Sequence, residues 1–584
     1  MTDGYFANVF QGLVQFSPTN GTAVEPSLAS NWTVSSNLEH FTFTMRPNTW
    51  FSNKDPINAY VAWFSFVREL YVNNPDGVGI SNYADITVNT SDPLEETAQA
   101  NLFPWGLQNA LGSAGLCTVS ATNDASCVAA LNNMLSNFNP SNSTQQAVMS
   151  YPHQAYVAVS STTFQINAIQ PYGLFLTDLP PQWGAIVDPT FIDANDGGVQ
   201  NDTTPTNSSA NGMVGSGPYM YGTHSAGNTE LILNENPNYW GVGVSGLAAN
   251  LQPAKIASIE MQFGDQPQTQ IADFASNNAQ IVSPAIPQYG QLWTSFHSSY
   301  PSISFGQIFE NLGYPLCDLA NGINTQVYPT NITLLRQAIV HSVNYSAIQQ
   351  QIFSYNGTTL GELFIPPVPP GWGPLDNPDN IPLYSYNITL ATQLIAQAGQ
   401  QNDFYVTLPN GTQIGDKSGT ALAPIEYAYL LPGNPETQTL IAIFSNGLAN
   451  IGVTVAATGL TESTYEADTS QASTTPPIVG VGWCADFPDP IYQQFYDMGT
   501  TITHEANWVN NATLNTLLAE IPFETNATLQ LEQTIEAYNI FTQLSTIIQM
   551  PNAASCFFKQ PYVQGLTYSP FEFALYYDML SYST

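Results

Sequence analysis

Residues 215–241 read GSGPYMYGTHSAGNTELILNENPNYWG. Within them TELIL (229–233) predicts a strand, and the Asn-Pro of NPNYW predicts a turn. Directly afterwards GVGVSG (Gly241–Gly246) matches G-x-G-x-x-G. A dinucleotide site needs that pattern between a strand and an apolar helix. Here NPNYW precedes it and the loop-like LAANLQPAK follows, so we read no nucleotide role from it.

Outward from this stretch, strand-like and helix-like patterns alternate. Further strands are expected at 40–46, 155–160, 256–263, 478–483 and 562–567. Helices are expected over 57–71, after Asp55-Pro56, and over the long amphipathic run 331–352. Asn434-Pro435 is an N-cap with a first-turn proline, opening a helix that ends near Gly452 and gives way to the β-run VTVAA. Residues 526–549 read as the longest helix, capped by Asn526 or Thr525. Gly-, Ser-, Asn- and Pro-rich loops are expected at 105–126, 193–217, 365–383 and 409–424, several of them longer than ordinary connections. The pattern is mixed α/β with large excursions, arranged as two lobes.

Only 9% of the 584 residues are charged, against about 25% in an ordinary domain. Asp and Glu number 43 and Lys and Arg 7, for a net charge of −36. With 43% hydrophobic and 12% aromatic residues this is a folding chain. Nucleic-acid binding is excluded, since nothing here neutralises a run of phosphates. The shortage of bases is more unusual than the excess of acids. Near pH 2–3 most carboxylates, with reference values of about 4, are neutral. Seven Lys/Arg and six His then leave little positive self-repulsion. We expect a protein facing an acidic exterior; the alternative is a halophile-like surface, which carries more Asp and Glu.

N-x-S/T sequons stand at Asn20, Asn31, Asn89, Asn142, Asn201, Asn207, Asn331, Asn344, Asn356, Asn387, Asn410, Asn511 and Asn526, each a candidate for glycosylation. The cysteines are Cys117, Cys127, Cys317, Cys484 and Cys556. None forms CxxC or a zinc spacing. Cys117 and Cys127 either close a small disulfide ring or are buried thiols, and the odd count leaves at least one cysteine unpaired within the chain. No signal peptide follows Met1 and no apolar stretch is long enough to span a bilayer. Any membrane association is therefore expected through an anchor outside this chain.

Catalytic patterns are missing: there is no P-loop, no H-E-x-x-H and no G-x-S-x-G. His504-Glu505 lacks its second histidine, and the six histidines do not cluster. Carboxylate pairs such as Asp486 with Asp489 and Glu95 with Glu96 are too local to flank one glycosidic bond. We expect no enzyme, no cofactor and no metal.

Several segments together resemble the extracellular solute-binding proteins of ABC importers, oligopeptide/dipeptide-binding class (family 5). VFQGLVQF (9–16) with PSLASNWTV (26–34) resembles the opening of the family's first lobe. FTFTMRPNTWFSNKDPINAYVAWFSF (41–66) is similar to its strand, arginine, turn and helix. The 215–241 stretch is similar to its Gly-x-Tyr strand and Asn-Pro-x-Tyr-Trp turn. LLRQAIVHSVNYSAI (334–348) resembles the helix opening the second lobe, and GWCADFPDP (482–490) the segment lining the ligand cleft.

The resemblance implies an α/β, bilobal periplasmic-binding-protein-like fold with an extra subdomain in the first lobe. Lobe I would comprise 1–40, 182–305 and 560–584, with the family-specific subdomain at 41–181 and lobe II at 306–559. The family's first strand would be missing or encoded upstream of Met1. The function implied is an extracellular receptor that captures an oligopeptide between the lobes and delivers it to an ABC transporter permease. Site residues carried over are Trp483, the backbone at Gly482 and Cys484, and Asp486, which would hold the ligand's α-ammonium; alternatively Asp486 only caps a turn before Pro488 and Pro490. The resemblance also implies a disulfide from Cys484 to Cys317. In an acidic medium a protonated Asp486 would suit sugar hydroxyls instead, so an oligosaccharide-binding receptor is the alternative. A secreted carbohydrate-active enzyme and a cell-surface structural protein are more remote ones. Arg46, Arg68 and Arg336 fall in the structural motifs and look retained for the fold.

Overall fold

The structure is a computed structural model. It describes residues 6–71, 105–120, 125–168, 171, 175–195, 213–225, 229–314, 317–364, 379–431, 435–484, 506–521, 524–569 and 574–583. The chain forms two compact units. The first comprises Met1–Asp265, Asp486–Pro488 and Pro561–Thr584, and the second Gln266–Ala485 and Asp489–Gln560. The segment 182–305, expected to belong to one lobe, is divided between them at 265/266. Helices Pro267–Ala275 and Tyr289–Ser299 send Phe274, Leu292 and Phe296 into the core of the second unit.

In the first unit, strands Ala29–Val34, His40–Met45, Thr163–Asn167 and Tyr156–Ser160 lie side by side in that order, all antiparallel. Helix Ala59–Tyr71 is shielded by burying Trp63, Phe64, Phe66 and Val67. Phe66 meets Phe164 and Tyr156 of the sheet at 5.4 and 5.1 Å between ring centroids.

The 215–241 stretch is the hub of this unit. Added Cβ atoms at Gly215 and Gly217 would stand 1.9 Å from the Val9 carbonyl oxygen and 2.4 Å from that of Asn8, so backbone lies where a side chain would be. Tyr219 is buried and donates to Ile256 O at 3.0 Å. Trp240 Nε1 donates to Gln11 Oε1 (2.7 Å), Gln11 Nε2 to the Tyr239 hydroxyl (3.1 Å), and that hydroxyl to Leu251 O (2.9 Å). Arg46 lies over the Trp240 ring at 5.4 Å and donates to Ser27 O at 3.0 Å. GVGVSG is an exposed turn with Gly243 and Gly246 at positive φ, and no strand-to-helix crossing surrounds it. The C-terminal segment returns to the start of the chain, where Asn8 bonds Leu575 O and the Tyr577 N–H.

The second unit is built on a five-stranded sheet in the order Val455–Leu460, Ile425–Leu430, Ile478–Cys484, Cys317–Ile323, Ile547–Gln549. Ile425–Leu430 runs parallel to both of its neighbours, and Cys317–Ile323 antiparallel to both of its own. Helices Thr333–Ser342, Tyr345–Ile352, Ile388–Gln401 and Pro435–Ala449 cover it, burying Leu335, Ile339, Ile348, Ile395, Phe444 and Leu448. Arg336 is buried and donates to Thr330 O (2.7 Å), Leu544 O (2.8 Å) and Thr333 Oγ1 (3.0 Å).

Several expected elements differ in extent. The run 331–352 is two helices, because Val343 is extended and Asn344 caps the second through the Ala347 N–H. The helix expected over 526–549 ends at Leu544, where Ser545 turns left-handed at φ 51° and Ile547–Gln549 joins the sheet as an edge strand. The expected loop 105–126 contains helix Trp105–Ser113 and is closed by a Cys117–Cys127 disulfide. The strand expected at 562–567 is reduced to Val563–Gln564. Most of 193–217 and 365–383, and residues 485–505, lie outside the described residues.

Candidate functional site

The segment expected to meet ligand lies at the end of strand Ile478–Cys484. Against Cys317–Ile323 this strand is paired along its whole length, from Ile323↔Ile478 to Cys317↔Cys484. Against Ile425–Leu430 it is paired only at Tyr427↔Ile478 and Ala428↔Val479. Among the described residues, Val481–Cys484 therefore has a partner strand on one edge only.

The Asn324 N–H donates to Pro477 O at 3.0 Å, and this bond sets the phase of the antiparallel ladder. Hydrogen-bonded and non-bonded pairs alternate along such a ladder. Counting from 324/477, the pairs 322/479, 320/481 and 318/483 exchange hydrogen bonds, whereas 321/480, 319/482 and 317/484 do not. The N–H and C=O groups of Gly482 and Cys484 thus point away from Cys317–Ile323, toward the unpaired edge, whereas those of Gly480 face Ile425–Leu430. At Gly480 the carbonyl accepts the Tyr465 hydroxyl at 3.3 Å. Cys317 and Cys484 face each other in a non-bonded pair, in which Cα atoms stand about 4.5 Å apart, inside the span a disulfide bridges.

Beneath this edge runs a polar strut. Tyr427 is buried and its hydroxyl donates to Asn321 Oδ1 at 2.9 Å. Asn321 Nδ2 reaches Ile548 O at 3.4 Å. The contact passes over Gly480, where an added Cβ would lie 3.1 Å from the Tyr427 hydroxyl. Burial holds the Tyr427 phenol well above its ordinary value, so it remains a donor. Four strands, from Ile425–Leu430 to Ile547–Gln549, are spanned by one tyrosine and one asparagine.

Backbone hydrogen bonding places Gly482, Trp483 and Cys484 on this strand. Asp486 lies outside the described residues. Among the described residues no three His, Cys, Asp or Glu side chains come together as a metal site, and no helix is long and apolar enough to cross a membrane.

The family model described as "Bacterial extracellular solute-binding proteins, family 5 Middle" matches residues 23–502. The chain is a family 5 solute-binding protein. No curated protein matches it in sequence. Solved structures match the solute-binding protein along its length. NikA from Brucella suis, in complex with Fe(III)-EDTA, superimposes with a TM-score of 0.69 at 16% identity, covering 100% of this chain and 95% of that one. DppA from Helicobacter pylori, in complex with the peptide STSA, gives 0.64 at 17% identity, covering 99% and 94%. OppA from Haemophilus influenzae, in complex with RPPGFSPFR, gives 0.64 at 15% identity, with the same coverage. At these identities the likeness is one of fold, and it agrees with the α/β periplasmic-binding-protein-like fold expected from sequence.

The solute-binding protein has site elements that its sequence did not announce. Tyr427, Asn321 and Tyr465 were not singled out. The available signal was Gly480 and Gly482 alternating in IVGVGW, since two glycines on one side of a strand mark a close approach.

Proposed function

We propose that this solute-binding protein captures an oligopeptide by strand addition at Gly482–Cys484 and delivers it to an ABC permease. The observation that carries the reading is the unpaired edge, onto which Gly482 and Cys484 direct their main-chain donors and acceptors. An extended peptide laid there gains hydrogen bonds without any demand on its side chains. Trp483 would line a pocket and Asp486 would receive the α-ammonium. A neighbouring ammonium lowers a carboxyl by about 1–3 units, which keeps that pair charged in moderately acidic medium. No chemistry is performed on the ligand. Closure of two lobes on the ligand, an acidic exterior and cell-surface association belong to the same proposal.

The low charge of the chain favours a second reading, an oligosaccharide held by neutral hydrogen bonds. Thermal-shift and native mass spectrometry screens of both ligand classes at pH 3 and pH 6 separate the two. Peptide binding that is lost when the ligand's amides are N-methylated, and weakened by Asp486→Asn, supports strand addition. Sugar shifts indifferent to Asp486→Asn overturn it.

A further inference from the structure

Thirteen sequons are many, and five of them have a structural reason. Asn142, Asn344, Asn387, Asn511 and Asn526 are helix N-caps whose side-chain oxygens accept backbone N–H groups. Asn410 similarly accepts the Thr412 N–H in a turn. Asn331 differs. Its side chain is exposed and makes no hydrogen bond with the described residues, and it stands outside helix Thr333–Ser342.

Asn331 also opens on a cavity of about 360 Å3 lined by Tyr328, Ile332, Thr333, Gln401 and Asn402. That volume is within the range of about 300–1,000 Å3 that holds small ligands. Tyr328 leaves 57% of its surface exposed, and Gln401 and Asn402 are exposed amides at the end of helix Ile388–Gln401. Asn402 Nδ2 donates to Ala398 O (2.9 Å) and Thr333 Oγ1 accepts from Arg336 (3.0 Å), which leaves the Gln401 amide, the Asn402 oxygen and the Thr333 O–H for a pyranose whose C–H face stacks on Tyr328. The cavity is too open to retain a free sugar strongly. A tether to the adjacent side chain raises the effective concentration to the millimolar range or above, so weak contacts suffice.

We propose that Asn331 carries an N-linked oligosaccharide whose first sugar sits in this cavity against Tyr328. The bond formed joins Nδ2 to the anomeric carbon of a sugar donated by a lipid-linked phosphate, through a membrane transferase. The anomeric carbon–oxygen bond to phosphate breaks, the lipid phosphate leaves with its electron pair, and the amide proton passes to solvent.

The test uses protein isolated from its own cells. Pepsin is used for mapping, since seven Lys and Arg give trypsin few sites. The peptide containing Asn331 is expected to carry hexose- or N-acetylhexosamine-type mass, absent in Asn331→Gln made in the same cells. Asn331→Gln is expected to lower the melting temperature by about 2 °C, but to leave it unchanged in a Tyr328→Ala background that retains the glycan, and in protein from a host without N-glycosylation. An unmodified Asn331 peptide overturns the proposal. So does a glycan whose loss shifts melting equally with and without Tyr328, or not at all.

Discussion

The hydroxyl of Tyr427 donates to Asn321 Oδ1 at 2.9 Å across the strand that carries Gly480. Two strands separated by a third are thereby joined through side chains as well as through the ladder. The strut sets the height of Gly480, two residues before the proposed ligand-binding backbone.

Tyr427→Phe leaves the buried Asn321 oxygen without its donor, at a cost of about 1–3 kcal/mol. We expect a lower urea midpoint with an unchanged slope. Gly480→Ala puts a methyl group 3.1 Å from the hydroxyl, so one strand must shift. We expect it to weaken peptide binding more than it lowers melting temperature. Equal binding by the variant and the parent would show that strand height is irrelevant to the site.

Stability is expected to be greatest in acid. Burial pushes the Asp578 carboxyl up to about 7, although it accepts the Gln252 N–H and lies near Lys255. Burial likewise raises Asp193 to about 6, with Phe138 N–H opposing and the Asp188 charge reinforcing. Asp188 is itself raised, chiefly by burial. A carboxyl raised in the folded state binds its proton there at pH values where the unfolded chain has lost it. Stability is then full below about pH 4 and falls as pH rises through the folded values. For Asp578, going from 3.8 to about 7 corresponds to roughly 4 kcal/mol. Urea titrations at pH 3, 5 and 7 check the slope, and Asp578→Asn should flatten it. An optimum above pH 6 would contradict both this expectation and the acidic exterior.

Non-reducing peptide mapping is expected to find Cys317 joined to Cys484, as the register allows, besides the Cys117–Cys127 bridge. Cys556 is buried and free, and should react with a thiol reagent only after unfolding. Rapid labelling of Cys317 or Cys484 in the folded protein would rule out the second bridge.

Arg336→Met removes the donors to Thr330 O, Leu544 O and Thr333 Oγ1. A loss of roughly 2–4 kcal/mol is expected, measured by urea unfolding. Arg336→Lys should recover only part of it, because an ammonium cannot reproduce the guanidinium fork.

The 215–241 stretch was legible because its glycines and aromatics have specific neighbours to meet: Gly215 the Val9 backbone, and Trp240 the Gln11 side chain. The break at Val343 was not legible, since Leu335 and Ile339 before it, and Ile348 and Ile352 after it, each keep i, i+4 spacing while the backbone turns at Asn344. Ser545 was equally silent, because a left-handed serine has no side-chain signature comparable to glycine's. The site strand could be found by resemblance, but its free edge depends on where a neighbouring strand stops pairing. That is fixed by sheet order, which no local pattern encodes. The sequons were visible as sites of modification, whereas their second use as helix caps, expected from sequence only at Asn526, emerged with the helices.

Arg46 and Arg336 bind main-chain carbonyl oxygens. A carbonyl has no proton to gain in the range where carboxylates become neutral, so these clasps hold with the same strength in strong acid and at neutrality. A chain with few bases that spends two of them on partners indifferent to titration retains its internal fasteners when ion pairs elsewhere let go.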